Sequence, residues 1–217
     1  GNFLAYVNNG AYTNSVMHRS VPNFVVQGGG FFFNPATLTV DAITANAPVV
    51  NEAEYANVRR SIAMARPPTG LDTATNQWFI NTSNNTGTLD SQSFAVFGEV
   101  VGGDMGVIDA IAALPTFAFQ SPFGEIPLAN YSNQDFTDGV TPDATHLVIV
   151  NAVVITDPTV DSAGAAGLSP TLNKSSTPTP TPTPPAAGGG GGGSFGIIGL
   201  LGLLVACRRR LSAVANS

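Results

Sequence analysis

The sequence predicts a mainly-β domain, built as a barrel or a sandwich, followed by a tail of different character. Three observations lead there. Short runs of strand character recur between turn residues as far as Thr156, one stretch at Asp104–Leu114 has helical spacing, and composition changes after Asp157. Many short strands beside one clear helix fit a β architecture better than a bundle or an alternating α/β chain.

The elements follow in order. Asn2–Val7 reads as the last turns of a helix, stopped by Asn8-Asn9-Gly10. Val21–Gln27 reads as a strand ending in Gly28-Gly29-Gly30, where the backbone is free to bend sharply. Ser61–Ala65, Gln77–Asn81, Phe94–Val101 and His146–Thr156 are further strands, the last rich in β-branched residues. Period-2 alternation puts Gln77 and Phe79 on one face and Trp78 and Ile80 on the other. Asp104–Leu114 has Asp104 at its N-cap, Met105, Ile108 and Ile111 along one stripe, and Pro115 beyond its end. Residues 116–145 show no assignable pattern and read as a long, loop-like insertion.

The organisation is three-part: a domain over 1–157, a Thr/Pro-rich linker over 158–187 and a tail over 188–217. The run Thr177–Pro185 favours extended polyproline II and makes a semi-rigid spacer. Gly188–Gly193, the apolar Phe195–Cys207 and Arg208-Arg209-Arg210 follow. With its glycines, the uncharged stretch Ala186–Cys207 reaches the ~20 helical residues that a bilayer requires. Arginines held on the cytoplasmic side would leave the domain extracytoplasmic, in the periplasm, at the cell surface or secreted. Glycine run, apolar span and arginine cluster together resemble the GlyGly-CTERM sorting signal of Gram-negative bacteria. That resemblance implies cleavage by a rhombosortase-type protease and only transient anchoring. At the other end the chain opens on an apolar pattern already under way, which reads as a fragment missing its N-terminus.

Charge excludes one class of partner. Of the 14 acidic residues only Asp161 lies beyond Asp157, so thirteen carboxylates face four arginines (Arg19, Arg59, Arg60, Arg66) and the domain carries a formal charge of −9. Such a surface repels nucleic acid. With lysine absent from the domain, Arg19, inside an apolar and neutral segment, asks for a reason. No CxxC, HExxH or His/Cys cluster offers a metal site, and Gly28-Gly29-Gly30 lacks the spacing and the lysine of a phosphate loop. No Gly-x-Ser-x-Gly elbow supports a serine triad, and no cofactor is expected. The one cysteine, Cys207, lies in the tail, so the domain can form no internal disulfide.

What remains is Met17-His18-Arg19-Ser20-Val21-Pro22-Asn23-Phe24-Val25-Val26-Gln27-Gly28-Gly29. It resembles, without a gap, the signature of cyclophilin-type peptidyl-prolyl cis-trans isomerases: Phe-His-Arg, a Pro two residues on, then Phe and Gln-Gly-Gly. Ser61-Ile62-Ala63-Met64-Ala65-Arg66 is similar to the family's bacterial Ile-Ala-Met-Ala-Arg strand, Gln77-Trp78-Phe79-Ile80 to its Gln-Phe-Phe-Ile strand, and Val96-Phe97-Gly98-Glu99-Val100 to the strand before its second helix. The resemblance implies an eight-stranded antiparallel barrel capped by two helices, with the first strands missing here. A barrel short of strands has open edges, so the 217-residue chain is expected to be marginal or aggregated in solution.

The resemblance also implies a division of roles. Arg19 is the catalytic residue. Phe24, Val25, Phe79, Leu89 and Phe94 form the pocket for the proline ring, and Gln27 and the backbone at Ala65 and Arg66 hold the substrate's main chain; Gln77 reads either as a further substrate contact or as a polar residue of the barrel interior. His18 packs and has no catalytic part. Substrates would be proline-containing polypeptides among exported proteins, acted on by a monomer. The chemistry stands beside this. An X-Pro bond resists rotation by ~18–20 kcal/mol because the nitrogen lone pair is shared with the carbonyl. A fixed cation that donates to that nitrogen favours the twisted amide, and an arginine is always charged. Met17 replaces the usual Phe, Val25 replaces a common Met and narrows the pocket, and Phe94 removes a polar contact. A second reading is a non-catalytic module that binds or displays proline peptides at the cell surface; retention of Arg19, Phe24, Gln27 and Phe79 favours the enzyme.

Overall fold

A computed structural model describes residues 1–157 and 170–175. The apolar span Phe195–Cys207, the glycine run and Arg208-Arg209-Arg210 lie outside the described residues, as does most of the expected linker. Helix α1 (Asn2–Asn8) precedes β1 (Ser15–Val16), β2 (Arg19–Val21), β3 (Val25–Gly28), β4 (Phe31–Asn34) and β5 (Thr39–Ala42). Then come β6 (Ser61–Met64), β7 (Trp78–Asn81), a π-helical turn (Thr86–Asp90), β8 (Val96–Glu99) and α2 (Met105–Ala112). Strands β9 (Thr116–Phe117) and β10 (Ile126–Pro127), helix α3 (Asn133–Thr137) and β11 (Ile149–Val150) complete the order.

The Val21–Gln27 run is two strands and not one. Pro22 fixes its φ, Asn23 takes the left-handed conformation at φ 56°, and the Phe24 N–H closes the turn on the Val21 carbonyl at 3.1 Å. The result is the β2–β3 hairpin, with Arg19 opposite Gln27 and Val21 opposite Val25. That hairpin opens a five-stranded antiparallel sheet in the order β2-β3-β7-β6-β8. A four-stranded sheet runs β11-β1-β4-β5, and β9 and β10 form a ribbon. Among the described residues these are open ladders, in a mainly-β fold with few helices.

One core cluster, holding Tyr6, Tyr12, Met17, Val26, Trp78, Ile80 and Met105, lies where α1 and α2 meet the five-stranded sheet, with Ile108 and Ile111 of α2 packed against it. Gly28 stands opposite Trp78, and a Cβ there would come 3.3 Å from the indole and 2.8 Å from the Met17 sulfur. Gly29 is left-handed at φ +80°, where a Cβ would lie 2.6 Å from the same ring. The glycines therefore seat the tryptophan against the sheet.

Two further expectations are corrected. His146–Thr156 is strand only at β11, because its partner β1 begins only at Ser15, after Asn14 at a left-handed φ of 56°; beyond it Val154 and Ile155 are exposed. Residues 116–145 are not merely loop: β9, β10 and α3 lie there, and Phe117, Ile126, Leu128 and Tyr131 build a second core cluster with Val16 and Phe33. Two-residue strands and a five-residue helix are too short to show a period. Helix α3 starts on a capping box, Ser132 and Asp135 bonding reciprocally. Within the span 158–187, residues 170–175 are seated on the domain. Leu172 bridges Tyr55, the Asn173 N–H donates to the Glu54 carbonyl at 2.9 Å, and the buried Asn173 side chain donates to the Asp90 carbonyl at 3.3 Å.

Candidate active site

Ladder register assembles the site. Residues paired across antiparallel strands project from the same face. Following the register from β2 gives Arg19 opposite Gln27, Gln27 opposite Phe79, Phe79 opposite Ala63, and Ala63 opposite Val96. One transverse row thus begins with a cation and an amide and continues as buried apolar side chains. Val25, Phe79, Leu89, Ala63 and Val96 form one buried cluster, against which Phe24, Ala65 and Phe94 pack while staying partly exposed. Phe94 meets Phe79 edge to face, centroids 5.7 Å apart.

Polar groups frame this cluster. The Gln27 amide donates to Gln77 Oε1 at 2.8 Å, which holds the two glutamines side by side. Arg66 places its guanidinium 4.7 Å from the centre of the Phe94 ring and is itself held by the Gly70 carbonyl at 3.1 Å and by the carbonyl of Gln92. Burial depresses the pKa of this guanidinium. The Ala65 N–H is spent on the Gln77 carbonyl at 2.9 Å. The structure therefore gathers the ten expected residues around one patch: Arg19, Gln27 and Phe79 in the row, Val25 and Leu89 beneath it, Phe24, Ala65 and Phe94 at its margin, Gln77 bonded to Gln27, and Arg66 stacked on Phe94.

Two sets of residues here have no sequence signature. The first is a buried amide network: the Asn57 side chain donates to Asp90 Oδ1 at 3.0 Å, Asn81 to Asn57 Oδ1 at 3.2 Å, and Asn85 to Asn81 Oδ1 at 2.6 Å. Asn85 also donates to the Phe24 carbonyl at 2.8 Å. This chain ties the turn that carries Leu89 to the hairpin that carries Phe24. The second is Glu125, just before β10, whose Oε2 accepts from Arg19 Nε at 2.8 Å. Its carbonyl also accepts the Ser20 N–H at 2.8 Å. A carboxylate among apolar residues in an unpatterned segment gives no periodic signal, and only the ladder geometry brings it to Arg19.

His18, beside Arg19 in sequence, is buried edge-on to Phe31, and desolvation is the leading cause that lowers its pKa to about 4. It is neutral near pH 7. A cavity of about 230 Å³ lies at the Val96 end of the row, between the Tyr55–Val58 segment, β8 and Pro170-Thr171.

Residues 1–133 match the family described as cyclophilin type peptidyl-prolyl cis-trans isomerase/CLD. This chain belongs to that family. A peptidyl-prolyl cis-trans isomerase of Acinetobacter baylyi is 43% identical over 123 residues, covering 54% of this chain and 62% of the relative. Peptidyl-prolyl cis-trans isomerase A of Dickeya dadantii is 42% identical over 120 residues, covering 53% and 60%. The chain thus spans about three fifths of the length of these relatives. A solved structure of a Cryptosporidium parvum cyclophilin type isomerase, determined in the presence of the dipeptide ala-pro, superposes at a TM-score of 0.46 with 20% identity, covering 72% of this chain and 83% of that one.

Proposed function

We propose that this cyclophilin-type chain accelerates cis–trans isomerisation about X-Pro bonds in proline-containing polypeptides. The observation that carries the reading is the row from Arg19 through Gln27 to Phe79, in which a partly exposed cation borders an apolar cluster. The ring sits among Phe24, Val25, Phe79, Leu89 and Phe94, on the barrel that family resemblance implies. Gln27, with Gln77 behind it, and the backbone near Ala65 and Arg66 hold the substrate chain.

Uncatalysed exchange of an X-Pro bond takes ~10–100 s, limited by amide resonance. As the bond twists, the prolyl nitrogen becomes pyramidal and its lone pair becomes a hydrogen-bond acceptor. An Arg19 N–H donated there stabilises the twisted amide and gains nothing from the planar one, so the interaction lowers the barrier instead of merely binding substrate. No bond is made or broken, and no acid, base or nucleophile is needed.

The protein acts outside the cytoplasm on exported chains, a reading supported by the apolar run and Arg208–Arg210 of the tail. Mass spectrometry of the protein recovered from cell surface and medium tests it: a mature C-terminus within or before the glycine run is expected, and an intact tail on cytoplasmic protein would refute it. The activity is tested with a protease-coupled assay on a short proline peptide. Acceleration is expected from the chain and not from Arg19→Ala; no acceleration by the chain ends the reading, and equal acceleration by the variant ends the role of Arg19.

A further inference from the structure

We propose that Glu125 is a positioning residue for Arg19, orienting its guanidinium toward the substrate nitrogen. The proposal rests on the reading of Arg19 as the group that meets the prolyl nitrogen. An arginine side chain has several rotatable bonds, and a donor that must meet a lone pair in one direction works only when that freedom is removed. Glu125 removes it at the donor nearest the stem. Its Oε2 takes Nε at 2.8 Å, and among the described residues the guanidinium makes no other hydrogen bond, so the two terminal nitrogens remain available to a substrate.

The partner is itself fixed. The Glu125 carbonyl accepts the N–H of Ser20, the residue after Arg19, at 2.8 Å, and the next residue, Ile126, is buried in the second core cluster. Main chain and side chain of one residue thus grip two consecutive residues of β2. Stability does not account for the pair, because the side chains are 21% and 36% exposed and ion pairs so open to water contribute little. Nor is charge balance enough. A carboxylate so close weakens the positive field at Arg19, a cost that makes sense where direction matters more than field strength.

The test compares Glu125→Ala and Glu125→Gln, each with Arg19 intact and with Arg19→Ala, in the full 217-residue chain. Exchange spectroscopy on a proline peptide separates kcat from KM, and thermal melts report folding. Glu125→Ala is expected to lower kcat about tenfold with KM within about twofold, and Glu125→Gln, which keeps an acceptor oxygen, to lower it only about two- to threefold. On the Arg19→Ala background neither substitution should lower the residual rate further. An unchanged or raised kcat in Glu125→Ala, or an equal loss on the Arg19→Ala background, overturns the proposal. If Glu125→Ala does not fold, the Glu125→Gln pair decides by the same comparison. A full rate in Arg19→Ala alone overturns the underlying reading, and is told apart because it needs no change at Glu125.

Discussion

In β2, β3, β7 and β6 the two faces of the five-stranded sheet are made by alternate residues, and in β8 a register shift separates Gly98 from Val96, yet the faces serve different ends. One row runs Ser20, Val26, Ile80, Ile62 and Gly98; the other runs Arg19, Gln27, Phe79, Ala63 and Val96. Val26 and Ile80 of the first row are buried in the cluster that α1 and α2 close, with Ile62 packed against it. The second row keeps a cation at its end, and Phe24 and Phe94, packed against its buried apolar members, stay partly exposed. The comparison teaches that parity along a strand, more than position in the chain, divides residues that hold the fold from residues that can meet a ligand.

The sharpest way to break that division is to test each face in turn. Ile80→Ala, on the closed face, should cost about 2–5 kcal/mol in chemical denaturation while leaving the rate per folded molecule unchanged, since it opens a cavity away from the row. A rate loss beyond that explained by unfolding would show that the faces are coupled. His18, which neighbours Arg19 but is buried, gives a test by pH. Its folded pKa of about 4 lies below the ordinary 6.5, so the unfolded chain binds the proton more readily. Stability is fully present above pH 6.5 and falls as pH drops toward 4, by on the order of 3 kcal/mol. Denaturation curves at pH 7.5 and 4.5 should show the fall, and His18→Gln should flatten it; the same slope in the variant would place the titration elsewhere.

On the open face the sizes reverse between stability and rate. Arg19→Ala should lower kcat/KM by about 10²-fold, the scale for losing a transition-state donor, with little change in melting temperature. A change in melting with rate intact would make Arg19 a structural residue. The smallest effect is expected for Arg66→Ala, which frees the Phe94 ring from its cation and should raise KM only about two- to fourfold, in line with about 0.5–1 kcal/mol for such a contact.

Much of the open row is legible in the sequence because β2, β3, β6 and β7 each contain a motif of fixed spacing, and spacing along a strand decides the face. The alternation of Trp78 and Phe79 is read this way, and the structure puts the first in the helix-covered core and the second in the row's cluster. The Pro22-Asn23 turn escapes because the apolar residues on both sides continue through it, so hydrophobicity alone draws one strand. Phe117, Ile126 and Leu128 escape for another reason: the first two sit in strands of two residues and Leu128 makes only an isolated bridge, and their burial is decided by Val16 and Phe33, distant in the chain. Asn57, Asn81 and Asn85 are ordinary polar residues until the fold stacks them into one network, and Glu125 is an unremarked surface acid until β10 reaches β2.

The seated segment 170–175 is the last described part of the chain, and the Asn173 side chain donates to the carbonyl of Asp90, the neighbour of Leu89 in the apolar cluster. Thr171 and Leu172 add backbone contacts to Ala56 and Tyr55. A stretch of chain that composition sets apart from the domain thus shares a hydrogen bond with the turn that carries Leu89.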